Sequence, residues 1–327
     1  MSDNENILAI FSDAEDERDW NRMLSQLPGV IRVMDGENLL LSLENLRKSG
    51  INPLLTIISS RAYLKRHSDL TAFVRTSFPD SDFLLVSTVT GPHPPLKALM
   101  LDRIRHLVIN HGDEANAHRQ LALAATRLLG RRAWQMADYL APGTTIRQFD
   151  NCSAATKEEL IRSLEAIIEG DTPEIEELRQ KGALLADEML ENALYGAPRA
   201  EDGGKLFQKG EQRKLLPGER ILFRAGFDGT TLAMEVADGW GSLSPDLVLE
   251  YLAKNQEERE YLDDTGGRGF FIIWHFLDHF HVNIVPGKLT TIGGQVTVSS
   301  VTDPSVPKGF HITTNPCEGG NYHGQSL

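Results

Sequence analysis

Cysteine is scarce. Only Cys152 and Cys317 occur in 327 residues, too few for a disulfide framework and without metal-ligand spacing, which excludes a small stapled secreted domain and fits a reducing compartment. Long apolar runs are missing too. The longest, GFFIIWHFLDHF, is interrupted by His275 and Asp278 and falls short of the roughly 20 residues that a bilayer crossing needs, so no membrane span is expected. Positive charge is also in deficit. The net charge of −13 and pI near 5.3, with no basic stripe to offset them, exclude nucleic-acid binding as the main business. The first residues, MSDNENILAIFSDAEDE, have no basic segment ahead of their apolar run, so no signal peptide is expected and the protein reads as soluble and cytoplasmic. What is present is length: 327 residues suffice for two domains of ordinary size.

Over the first 130 residues, short apolar runs alternate with amphipathic stretches: ILAIF (7–11), VIRVM (30–34), LLTII (54–58), DFLLV (82–86) and RHLVIN (105–110). This alternation predicts a doubly wound parallel sheet covered by helices. Its order and lengths resemble a response-regulator receiver domain. The resemblance implies an acidic pair after the first strand, matched by Asp13 and Asp16, and a hydroxyl after the fourth, matched by Ser87 or Thr88. It also implies an acceptor aspartate after the third strand and a lysine after the fifth, where this chain has Ser59-Ser60 and Asn110-His111. A hydroxyl cannot form the acyl phosphate. Two readings stay open: a pseudo-receiver, and a flavodoxin-like docking domain that was never phosphorylated. A helical pattern is expected from His118 to Ala141, broken by Pro142-Gly143. The expected division is 1–132, 133–302, and a loose Pro/Gly/Asn-rich tail over 303–327.

The second half opens a different pattern. In ADEMLENALYGA (186–197), Met189, Leu190, Ala193 and Leu194 recur at helical spacing, and Gly196 with Pro198 supplies the stop. Glu188 and Asn192 fall one turn apart on one face. They can offer oxygen ligands to a hard cation, or a base beside it; the plain alternative is a solvated helix face. A Gly/Lys/Arg-rich insert, 199–220, follows. RILFRAGFDG and TTLAMEVADG then read as a hairpin through Asp228-Gly229. The second strand ends in Asp238 with Gly239 and Gly241 just behind it, either a turn or a place where a base edge reaches a carboxylate. The helix LSPDLVLEYLAKN precedes Gly266-Gly267-Arg268-Gly269, a glycine-rich helix start whose free N–H groups can meet a phosphate. KLTTIGGQV, with Thr291, reads as a final strand.

The order of these features, Glu-x-x-x-Asn, Asp-Gly-x-Gly, Gly-x-Gly and a late Thr, resembles the Bergerat nucleotide-binding site of the GHKL superfamily, over about residues 150 to 300. The ending HVNIVPGKLTTIGGQVTV is most similar to the ATP-binding domains of bacterial anti-sigma-factor serine kinases and histidine-kinase-like relatives. The resemblance implies an α/β sandwich that holds ATP and Mg²⁺. Asn192 would coordinate the metal and Glu188 would be the general base. Asp238 would receive the adenine amino group, with Gly239 and Gly241 letting backbone approach it. Gly267, Arg268 and Gly269 would meet the phosphates, and Thr291 would complete the adenine contacts. The glycines of the first box come one place early, so Trp240 either stacks on the adenine or fills its pocket. Arg268 either pairs with a phosphate or is solvated. No His-Glu or His-Asp box precedes the domain, because His118 is followed by Arg119-Gln120, which argues against histidine autophosphorylation. The His275/His279 spacing admits zinc, but with no third ligand in view a core histidine is the better reading. The implied function is a signalling protein acting on a regulatory protein partner, as an ATP-dependent serine/threonine kinase. The alternatives are a nucleotide-gated binding module and a pseudoenzyme serving as a homodimer scaffold.

Overall fold

The computed structural model describes residues 7–35, 38–200, 202–211, 213–257, 268–299 and 306–315. They divide into two compact units, one of residues 7–132 with 306–310 and one of 133–299 with 311–315. Eleven strands with both parallel and antiparallel pairing, covered by helices, make this an α/β protein. Among the described residues no helix is long and apolar enough to cross a membrane.

The first unit alternates β1 (Ile7–Phe11), α1 (Ala14–Leu24), β2 (Val30–Met34), α2 (Leu39–Lys48), β3 (Leu55–Ser59), α3 (Ser60–Ser77), β4 (Asp82–Thr88), α4 (Leu96–Leu101), β5 (His106–Asn110) and α5 (Glu114–Leu129). Its strands run parallel in the order β2-β1-β3-β4-β5, one of the two common doubly wound orders. Every residue of β1, β3 and β5 is buried. Covered on both faces, these strands are mostly apolar and do not alternate in burial. Where a strand ends, a capping side chain starts the next helix: Asp13 accepts from the N–H of Glu15 and Asp16, Ser59 from Ala62, and Asp113 from Ala115 and Asn116.

α5 stops at Leu129, short of the helix expected to Ala141. Gly130 caps it and Arg131 adopts a φ of 49°, which turns the chain out of the helix. Trp134 is then buried, held by Asn283, whose side chain accepts from its N–H at 3.0 Å and donates to its carbonyl at 2.7 Å. A 3₁₀ turn, Met136–Tyr139, follows.

The second unit contains β6 (Ile146–Phe149), α6 (Lys157–Glu165), α7 (Pro173–Glu191), β7 (Ile221–Phe227), β8 (Thr231–Asp238), α8 (Pro245–Glu257), α9 (Arg268–Phe276), β9 (His279–Val285), β10 (Leu289–Thr297) and most of β11 (Gly309–Thr314). The strands β9-β10-β8-β7-β6 lie side by side and antiparallel. The hairpin between β7 and β8 turns at Asp228-Gly229: Gly229 takes a φ of 95°, and Asp228 Oδ1 accepts from the N–H of Thr230 and Thr231. α7 begins with Thr172 as cap and Pro173 in its first turn. It packs on β8 and β10 and against α9.

Because side chains alternate along a strand, each face has its own set. One face carries Leu232, Met234, Val236 and Asp238 of β8 opposite Val296, Gly294, Ile292 and Thr290 of β10. Phe280 of β9 belongs to this face and meets Phe270 and Trp274 of α9 edge-on. Each such buried ring or aliphatic side chain contributes about 1.5–3 kcal/mol. The other face carries Glu235, His281, Asn283 and Thr291 and is covered by Trp134 and the 3₁₀ turn.

The tail expected to be loose contains β11. Gly309, Phe310, His311 and Ile312 are buried, and Asn315 N–H donates to the carbonyl of Ile284 in β9. A six-residue aromatic and β-branched run, GFHITT, lies inside a Pro/Gly/Asn-rich composition that masks it.

Candidate functional site

Asp238, the last residue of β8, and Asn192, where α7 ends, line one cavity together with Arg199, Lys205, Tyr251 and Phe270. The cavity itself is narrow, about 70 Å³, and opens to solvent. Five elements and the 199–220 insert converge there, from positions up to 100 residues apart in sequence, Asn192 to Ile292.

Asp238 is buried at 5 % exposure. Burial pushes its carboxyl up to about 7, against the pull of backbone N–H groups from Trp240 and Gly241, and the charge of Glu219 pushes it further up. The Trp240 N–H donates to Asp238 Oδ1 at 2.9 Å. The Trp240 indole is held elsewhere: its Nε1–H donates to Glu219 Oε1 at 3.0 Å, and the ring does not line the cavity. Glu219 also receives the Arg213 fork at 2.7 Å on both oxygens and the Leu216 N–H at 2.8 Å. Burial opposes ionisation of Glu219, but these donors outweigh it and hold its carboxyl below the ordinary value. Trp240 is therefore a strut between Asp238 and the insert, and leaves the cavity clear.

At the end of α7 the backbone widens into a π turn, Asn192–Gly196, a distortion that recurs at functional positions. Glu188 is 14 % exposed and receives Lys209 Nζ at 3.2 Å. The Nδ2 of Asn192 is buried with no hydrogen-bond partner. The first turn of α9 presses directly on this pair: a Cβ added to Gly269 would lie 2.7 Å from Glu188 Oε2 and 2.9 Å from Asn192 Oδ1. A larger residue there would have to displace those two side chains. Glu191 is not a solvated bystander, since Lys157 reaches it at 2.6 Å and Asp187 at 2.7 Å.

Two sequence assignments land differently. Thr291 pairs with Ala237 and Asn283 and so lies on the face opposite Asp238. The threonine across from Asp238 is Thr290, 1 % exposed, with its hydroxyl unpartnered. The motif position was one residue off because a strand alternates faces at every step. Gly241, expected to let backbone approach a base, instead approaches protein. At a φ of 57°, its Cβ would meet Val285 O at 2.3 Å and Lys288 N at 2.5 Å, and Gly287 N–H donates to its carbonyl at 3.0 Å. Gly239 is exposed. Gly267 lies outside the described residues; Arg268 opens α9.

On the opposite face Glu235 accepts from Arg224 and from Met136 N–H, each at 3.0 Å, and lies 3.5 Å from His281. Tyr139 OH sits 3.0 Å from His279 and 3.1 Å from His281. His279 belongs to this buried network, while His275 on α9 stacks on Phe271. The pair does not converge, and among the described residues no cluster of His, Cys, Asp and Glu is arranged to hold a metal.

In the first unit, the acidic pair is consumed locally. Asp13 caps α1. Asp16, 3 % exposed, accepts from Ser12 N–H at 2.8 Å and from the Ser59 hydroxyl. Burial raises its carboxyl above the ordinary value, and those two donors oppose the shift. Ser87 Oγ lies 3.0 Å from both Ser60 Oγ and His93 Nδ1, and Asn110 Oδ1 accepts from Gly112 N–H. A lysine does reach the strand ends, but from α3: Lys65 Nζ donates to Ser12 O at 3.3 Å.

The residues that sequence reasoning missed are Arg199, Lys205 and Lys209 of the insert, together with Thr290. The basic composition of the insert was visible; which of its cations turn toward the cavity was not. The chain matches no known protein family model and no curated protein.

Proposed function

We propose that the second unit binds ATP with Mg²⁺ in the manner of GHKL ATP-binding domains, and that the chain is a bacterial cytoplasmic signalling protein that acts on a regulatory protein partner. The observation that carries this reading is the convergence of three separate sequence motifs: Asp238 and Asn192 line one cavity, and Gly269 packs directly against Asn192.

The residues fit the ligands. Asp238 offers a buried carboxylate to the adenine amino group, and ionised it is the better acceptor. Thr290 has a free hydroxyl on the same face. Asn192 Oδ1 supplies a hard oxygen donor of the kind Mg²⁺ takes, and the Nδ2 of Asn192 is left without an acceptor. Mg²⁺, when bound, neutralises charge on the transferred phosphoryl group. Glu188 would take the proton from an attacking hydroxyl or water, which makes serine/threonine protein kinase activity the leading reaction class. Lys209 on Glu188 favours a second reading, because a base tied to an ammonium is restrained. In that reading nucleotide binding changes partner affinity without chemistry. A scaffold whose pocket is filled by Trp240 finds no support in the Glu219 tether.

The first unit is proposed as a phosphorylation-incompetent, receiver-like docking domain, on the strength of its strand order and the Ser59–Asp16 contact. Calorimetric titration of the full chain with ATP and Mg²⁺ tests the central reading. Binding is expected in the wild type and a loss of about 10- to 100-fold in Asp238→Asn, as for a lost hydrogen bond to a charged group. Equal affinity of the two proteins would remove Asp238 from the site.

A further inference from the structure

The insert between α7 and β7 turns two cations toward the cavity that have no ion-pair partner among the described residues. Arg199 and Lys205 are joined across an isolated antiparallel bridge, and the turn between them is closed by Ala200 N–H to Gly204 O and Gly203 N–H to Ala200 O, both at 2.9 Å. Residues paired in this way project to the same side, and like charges placed directly opposite destabilise the pairing. Both nevertheless line the cavity of Asp238 and Asn192. Among the described residues neither has an ion-pair or hydrogen-bond partner, whereas the neighbouring cations do: Lys157 holds Asp187 and Glu191, and Lys209 holds Glu188. Solvation accounts for a single exposed arginine or lysine. It does not account for two held face to face on a wall shared with an orphaned amide nitrogen.

We infer that Arg199 and Lys205 form a clamp for the polyphosphate of the ligand, so that the insert, and not the α9 start alone, selects nucleoside triphosphates over nucleosides. The inference rests on the proposed nucleotide site. Its physical need is plain: a protein of net charge −13, with Asp238 in the cavity wall, repels a polyanion unless local cations offset the field. A polyanion placed between the two side chains also relieves their mutual repulsion. The donor types suit the task, an arginine fork for two phosphate oxygens and a lysine as a point charge.

The test measures affinities of the full chain for ATP with Mg²⁺, adenosine and inorganic tripolyphosphate, in the wild type, in the double variant Arg199→Ala/Lys205→Ala, and in Arg199→Lys. The double variant should lose about 10- to 100-fold for ATP and for tripolyphosphate, with adenosine changed less than about 2-fold. Arg199→Lys should fall between wild type and double variant, since the charge is kept and the two-oxygen fork is lost. Added salt should weaken ATP far more than adenosine in the wild type and lose that contrast in the double variant. Parallel losses for adenosine and ATP would overturn the clamp and make the insert a wall of the pocket, and so would unchanged ATP affinity. Loss of tripolyphosphate binding in the variant, from a wild type that ignores adenosine and binds ATP no better than tripolyphosphate, would uphold the clamp and sink the adenine site. Binding of none of the three would overturn both.

Discussion

Asp16 and Asp238 are both buried, both follow or end a strand, and burial raises both carboxyls, yet their surroundings differ in one respect. Asp16 Oδ2 is taken by a backbone N–H and by the Ser59 hydroxyl, whose oxygen in turn caps α3. Asp238 has its first oxygen held by Trp240 N–H and opens on a cavity. Glu235, on the other face of β8, resembles Asp16, with donors from Arg224 and Met136 and His281 beside it. A buried carboxylate thus marks a binding site only when lone pairs and space remain beside it. Otherwise it is part of the frame.

The largest expected effect lies on the open side of this contrast. Glu188→Gln should lower Mg²⁺-dependent phosphate release from ATP by about 10²–10⁴-fold, as for a lost general base, while calorimetry shows ATP affinity within about 2-fold of wild type. Unimpaired turnover would remove Glu188 as the base, and an undetectable rate in wild type would favour the binding-module reading.

Next in size is the frame of the pocket. Gly241→Ala should cost about 2–4 kcal/mol in urea unfolding, since the new Cβ meets backbone of the β9–β10 turn at a positive φ. Gly239→Ala, on an exposed neighbour, should stay within about 0.5 kcal/mol. Equal costs would mean that the close approach at Gly241 is not the constraint.

Asp16→Ala should destabilise by about 1–3 kcal/mol, because Ser12 N–H and the Ser59 hydroxyl lose their acceptor, and should leave ATP affinity untouched. A protein of full stability would show that the closed cluster contributes nothing.

A smaller effect follows pH. The Asp238 carboxyl, ordinary when unfolded and about 7 when folded, binds more protons in the folded state between those values. Its contribution therefore makes stability fall as pH rises from about 4 to 7. ATP affinity should move the other way, rising through about pH 7 as the carboxyl ionises, and Asp238→Asn should flatten both profiles. A wild-type affinity that is level across pH 6–8 would contradict a raised carboxyl as the acceptor. The smallest expected effect is none: acetyl phosphate should leave residues 7–132 unlabelled, and phosphate on Asp13 or Asp16 would show that the closed cluster opens.

Much of this was legible in the residue pattern. The parallel strands announced themselves as apolar runs, three of them because every residue is buried, and Asp228-Gly229 marked its hairpin because only certain residues accept that turn. Glu188 and Asn192 fell on one helix face by arithmetic of the α-helix. β11 escaped, since six residues inside a Gly/Pro/Asn-rich stretch carry too little periodicity to stand out. Thr290 and Thr291 could not be told apart either, because both are threonine and the choice depends on which face of β10 meets Asp238.

The sequence by itself determined most of the strands and helices, several turns, and which residue types could carry nucleotide chemistry, because these depend on periodicity, caps and local sterics. Tertiary structure alone decided which of those residues meet. It placed Gly269 on Glu188 and Asn192, tied Trp240 to Glu219, set Gly241 against the β9–β10 turn, and turned Arg199 and Lys205 into the cavity of Asp238. The reason is physical: contacts between residues tens of positions apart are fixed by packing and strand register across the whole unit, and a local pattern carries no record of either.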